Sequence, residues 1–158
     1  MTHARRQQTR GHAQRGAYAV EFAFVFLLSF ALLYAILCIG IVASFRLALQ
    51  NAAEDGARAA LRYQVSFPER ATQAVTVATA RVNWLPTAAT RSIAAQICQV
   101  VGNNCATPTC GPTWDERCQM VVTVRLTNVQ ALLPPVPGFA APTQLVGQAS
   151  MVLDGRAP

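Results

Sequence analysis

The sequence contains no lysine, and its only two histidines, His3 and His12, lie among the first twelve residues. Charge of either sign is scarce, at 13% of 158 residues, where an ordinary soluble domain carries about 25%. Proline is missing from the first 67 residues. With so few titratable groups there is no nucleophile–base pairing, no phosphate-cradling loop and no dinucleotide fingerprint. The sequence therefore offers no catalytic residue and calls for no cofactor. Asp115 and Glu116 are adjacent acids in a loop, an arrangement that solvent usually accounts for. The 13 basic residues, all arginine, give a net charge of +6, but that excess is local. Arg5, Arg6, Arg10 and Arg15 precede residue 17 with no acid among them, and beyond them nine arginines face seven acids. The basicity belongs to a short tail, so nucleic acid is not an expected partner.

What is present is one long apolar run. Residues 22–45 carry no charge and include Phe22, Phe24, Phe26, Leu27, Leu28, Phe30, Leu32, Leu33, Ile36, Leu37, Ile39 and Ile41. As a helix they extend about 36 Å, enough to cross a ~30 Å hydrocarbon layer with some tilt. The run is too long for a signal-peptide core, and the helical pattern continues through Arg46, so it reads as a retained anchor in a lipid bilayer. Four arginines precede it, while Arg46 alone follows closely, ahead of Glu54 and Asp55. The positive-inside rule places the N-terminus in the cytoplasm and the rest of the chain outside. Glu21 touches the start of the run, where a carboxylate costs up to about 3 kcal/mol on insertion scales, less near the interface.

The string Arg15-Gly16-Ala17-Tyr18-Ala19-Val20-Glu21-Phe22 resembles the processing site of type IV prepilins and pseudopilins, and its Glu-Phe pair resembles the Flp/Tad subclass. The stretch from Phe45 through Asn51, Glu54 and Gly56 to Ala60 is similar to the post-membrane segment of TadE-like pilus assembly proteins. Together the two motifs cover about residues 15–62. The proline often found in the first turns of that family's apolar stretch is absent; Ser29 lies near its place. The resemblance implies that a membrane-embedded prepilin peptidase cuts between Gly16 and Ala17 on the cytoplasmic side. Cutting there removes four positive charges and exposes a new α-amine on Ala17. Glu21, now fifth in the mature chain with Phe22 sixth, can pair with such an amine on a neighbouring helix, an attraction strengthened by the low dielectric.

Residues 47–61 are rich in Ala, Leu, Arg, Gln and Glu, all good helix formers, so the spacing predicts one helix from near Ala17 to near Arg62. Ala48, Ala52, Gly56 and Ala60 recur every four residues and form a small-residue stripe that permits close helix packing. The stripe serves either the chain's own outer domain or a filament neighbour. Glu54 and Arg58 make a favourable i,i+4 pair.

Beyond Arg62 the pattern predicts a small α+β domain. Ser66-Phe67-Pro68-Glu69 reads as a capping box, opening a helix with Ala71, Ala74, Val75, Ala78, Val82 and Leu85 on one face and Pro86 as its stop. A second short helix is expected over about 87–99, with Ile93, Ala94 and Ile97. Period-2 alternation then marks two strands: Met120, Val122, Val124 and Leu126 in one, Leu145, Gly147, Ala149, Met151 and Leu153 in the other. They form an antiparallel hairpin or small sheet across a Pro134–Gly138 linker, and two strands are few enough that the sheet needs another strand or a partner.

Cys38 lies in the apolar run. Cys98, Cys105, Cys110 and Cys118 fall outside it, where an oxidising compartment favours two disulfides with three possible connectivities. A zinc site is disfavoured, because the spacing lacks a close cysteine pair and no histidine is near; no metal is expected.

The resulting organisation is a basic leader over 1–16, a long helix over 17–62 with its membrane part at about 22–45, and a periplasmic α+β domain over 63–158. The expected function is that of a TadE-like minor pseudopilin, acting in initiation, priming or the tip of a Tad/Flp pilus. The partners so implied are prepilin peptidase, other Tad/Flp pilins and pseudopilins, an inner-membrane assembly platform and the bilayer. The expected location is the bacterial inner membrane, single-pass, with possible incorporation into an extracellular pilus. The alternative is an unprocessed, signal-anchored periplasmic binding module with a disulfide-stabilised domain. A tethered enzyme ranks last.

Overall fold

The computed structural model describes residues 13–62, 66–135, 138 and 141–153. The chain divides into two compact units, Met1–Gly40 and Ile41–Pro158. Helix α1, Ala13–Ala59, contributes to both. It is long because nothing breaks it: it contains no proline, and its glycines are isolated. In the first unit the large apolar side chains from Tyr18 to Ile39, half-buried Tyr34 apart, are exposed by half or more. So much uncovered apolar surface is stable only in lipid or against other helices. By length and composition α1 can cross a membrane, and its most apolar stretch is not buried within the protein.

The second unit is built from the remainder of α1, helix α2 (Phe67–Val82) and strands β1 (Thr90–Gln99), β2 (Cys118–Thr127) and β3 (Gln144–Val152). Together these elements give the expected α+β class. Ser66 caps α2, its hydroxyl oxygen accepting from Glu69 N at 3.4 Å. Ala74, Ala78 and Val82 are buried along one side of the helix, as the capping box and spacing predict. The strands form a three-stranded antiparallel sheet in the order β1-β2-β3. Ile93 pairs with Val124, which pairs with Gly147; Ile97, Met120 and Met151 line up likewise. The side chains of Ile93, Ile97, Met120, Val124 and Met151 belong to or pack against the core, whereas Ala94, Gln148 and Ser150 point to the exposed face.

Strand β1 corrects the expected second short helix. Ile93 and Ile97 are four residues apart, a spacing compatible with one helical turn and also with two steps along one strand face. Ala94, which the helical reading placed with them, is exposed, and Ala95 takes the inward position. β1 is also the third strand that the hairpin lacked.

Two glycines set how closely the layers approach. A Cβ on Gly56 would lie 2.9 Å from Ala74 O and 3.0 Å from Ala78 Cβ, so α1 and α2 meet there with no room for a side chain. A Cβ on Gly147 would fall 2.6 Å from Gln50 N and equally against Leu49 C and O. Here β3 lies directly on the backbone of α1. Beside this contact the Gln50 amide donates to Gln148 O at 3.0 Å and accepts from Gln148 N at 3.2 Å. It thereby occupies backbone groups that an edge strand would otherwise leave open.

Arg70 is the one buried charged residue among those described, at 3% exposure. Its Nη1 donates to Ala60 O at 3.4 Å, placing positive charge at the C-terminal end of α1, where the helix dipole favours it.

Candidate functional site

The sequence motif for processing lies near the start of α1. Gly16 and Ala17 fall within its helical backbone, and residues 1–12 of the leader lie outside the described residues. Glu21 is exposed, and among the described residues it has no ion-pair partner. Beside it Phe22, itself 71% exposed, begins a row in which Phe22 stacks on Phe26 at 6.1 Å and Phe26 on Phe30 at 6.2 Å between ring centroids. A carboxylate flanked by a ridge of rings presents one charge at the end of a purely apolar surface. That arrangement can fix the register of a neighbouring helix carrying a positive group, because an unpaired charge in low dielectric is costly.

The four members of the small-residue stripe have different surroundings. Ala52, Gly56 and Ala60 are buried inside the second unit, and Ala48 is half-buried. Gly56 meets α2 and Val122 of β2. The stripe from Ala52 onward thus serves the chain's own core. Elsewhere on α1, Glu54 lies 3.8 Å from Arg58, and Asp55 2.9 Å from Arg81 of α2. Both pairs are exposed enough to add little stability.

The cysteine cluster is a clamp on the β1–β2 connection. Cys98 bonds Cys105, and Cys110 bonds Cys118, while Cys38 is free. Cys98 stands opposite Gln119 and Cys118 opposite Gln99, so Cys98, next to the end of β1, and Cys118, at the start of β2, point to opposite faces of the sheet. One disulfide therefore holds the loop on the outer face, while Cys110 and Cys118 pack with the core. Between them Val100 N donates to Arg117 O at 2.8 Å and Gly111 N to Glu116 O at 2.8 Å. Asp115 and Glu116 sit in a short 3-10 turn of this loop, and Glu116 accepts from the Thr113 hydroxyl at 2.9 Å. Among the described residues no three His, Cys, Asp or Glu side chains come together as a metal site.

Three residues with structural work were not singled out for it in the sequence: Gly147, Gln50 and Arg70. Only Gly147 carried a signal, since a glycine inside an alternating strand often marks close backbone approach.

Comparison with curated proteins and with solved structures gave no match. The family model described as TadE-like protein matches residues 16–58, from the glycine that closes the basic leader almost to the end of α1, and over that stretch the chain is similar to TadE-like proteins.

Proposed function

We propose that the protein is a minor pseudopilin of a Tad/Flp pilus, trimmed after Gly16 by a prepilin peptidase and acting in initiation, priming or the tip of the filament. The observation that carries this reading is where the TadE-like match begins: at Gly16, the last residue of the basic leader and five residues before Glu21. The N-terminal part of α1 supports it, since an exposed carboxylate beside a phenylalanine row suits helix-to-helix assembly in lipid. In this reading the leader is cytoplasmic and the α+β domain periplasmic. Cleavage frees the Ala17 amine, and Glu21 pairs with the amine of an adjoining pilin, which makes insertion dependent on processing. Ala48 and the exposed rows of α1 remain available to that neighbour, while Ala52, Gly56 and Ala60 hold the chain's own domain. The inner-membrane assembly platform is the site at which the processed helix leaves the bilayer.

Glu21→Gln tests the assembly role. It removes the charge and keeps the shape, so the chain should reach the membrane at normal levels. Surface fibre yield, or recovery of this chain with other pilins, should fall about tenfold, as expected for losing one pairing of ~1.4 kcal/mol or more. Unchanged fibre yield and unchanged co-purification would overturn the reading.

A further inference from the structure

The α+β domain begins inside the apolar run. Val42 and Phe45, both within the uncharged stretch, pack against the domain core, and the second compact unit starts at Ile41. About 20 helical residues cross the ~30 Å hydrocarbon layer, so a span starting at Phe22 is complete near Ile41. Residues 42–45 then fall in the headgroup layer, about 6 Å of helix in a zone of roughly that depth. In sequence, no spacer separates the folded domain from the end of such a span.

The surface around this point has matching chemistry. Trp84, in the turn after α2, is 62% exposed, and its ring stacks on Phe45 with centroids 6.3 Å apart. Leu47 is 62% and Val146 44% exposed. Arg46 lines an open cavity of about 570 Å³ with Leu47, Gln50, Gln144 and Val146, and among the described residues it has no ion-pair partner. Tryptophan and aliphatic side chains beside an arginine are what a membrane–water interface selects: rings at headgroup depth and a guanidinium for phosphate. The sheet is oriented consistently within the domain. Gln144 pairs with Thr127, which pairs with Thr90, six residues after Trp84. The disulfide-clamped loop leaves the opposite end of ten-residue strands, about 30 Å away. That loop carries the other tryptophan, Trp114, 64% exposed with Arg117 4.9 Å from its ring centre.

We infer that the α+β domain seats on the phospholipid bilayer, with Trp84, Leu47 and Val146 entering the headgroup layer and Arg46 binding lipid phosphate. The disulfide loop is thereby held away from the lipid, at the far end of the sheet. This inference rests on the membrane-span reading of α1 but not on pilus function.

The test uses the full chain in nanodiscs of phosphatidylglycerol and phosphatidylcholine brominated near the top of the acyl chains. Trp114→Phe leaves Trp84 as the sole tryptophan, and Trp84→Phe leaves Trp114. A third variant, Phe26→Trp with both native tryptophans changed to phenylalanine, reports the span itself. Bromine should quench Trp84 roughly threefold more than Trp114, and Trp84 emission should be blue-shifted, as for an interfacial indole. Strong quenching at position 26 with equal, weak quenching of Trp84 and Trp114 would overturn the seating alone. No quenching at position 26 would overturn the span, and the seating with it.

Discussion

Gly147→Val is expected to unfold the α+β domain. Its Cβ would sit 2.6 Å from Gln50 N and against the Leu49 carbonyl, where the obstacle is helix backbone and no side chain can rotate away. To admit it, α1 must shift from β3. That opens the contacts of fully buried Leu49 and stretches both bonds between Gln50 and Gln148. Overpacking costs about 1–3 kcal/mol, and the disturbed hydrogen bonds add about 1 kcal/mol each. A total of roughly 3–5 kcal/mol is a large share of a domain's 5–15 kcal/mol. Urea unfolding of the chain in detergent, followed by near-UV circular dichroism, measures it. Gly40→Ala is the control, because a Cβ there meets nothing within 4 Å. Equal stability of the two variants would refute the close packing of β3 on α1.

Removing both disulfides is the second large effect. The half-cystines of each pair are seven or eight residues apart, and closing such loops contributes about 2–3 kcal/mol apiece through the unfolded chain. Changing Cys98, Cys105, Cys110 and Cys118 together to serine should therefore cost about 4–6 kcal/mol. It also places polar hydroxyls at Cys98 and Cys118, both buried. The expected result is a chain that protease degrades in the cell envelope and that accumulates poorly. Alkylation of the natural chain without reductant should label Cys38 alone after denaturation. Four further free thiols by mass spectrometry would contradict the pairing.

Much of this architecture was legible because single physical signals were strong. An uncharged run of 24 residues announced one long apolar helix, and the Ser66–Glu69 spacing located the start of α2 to the residue. The inward rows of β2 and β3 were plain because a polar or exposed residue follows nearly every apolar one. β1 was not legible. Its isoleucines are four apart, a distance shared by both periodicities, and Ala94, Ala95 and Gln96 favour a helix locally. Pairing with β2 decides the outcome, and that is tertiary information. The cysteine connectivity depended on the same point. A strand at 90–99 puts Cys98 and Cys118 on opposite faces, which excludes their direct pairing and sends each to a partner within the loop. The division of α1 between an exposed apolar part and a part buried in the domain was also hidden, since the small stripe allowed either a self-contact or a neighbour until Gly56 was seen against α2.

The central claim is that this chain is matured as a pilin, and its N-terminus tests that most directly. Mass spectrometry of the chain from cells with an active prepilin peptidase should find a mature start at Ala17, and Gly16→Ala should leave the full-length precursor. A natural chain that keeps its leader in such cells would contradict the account.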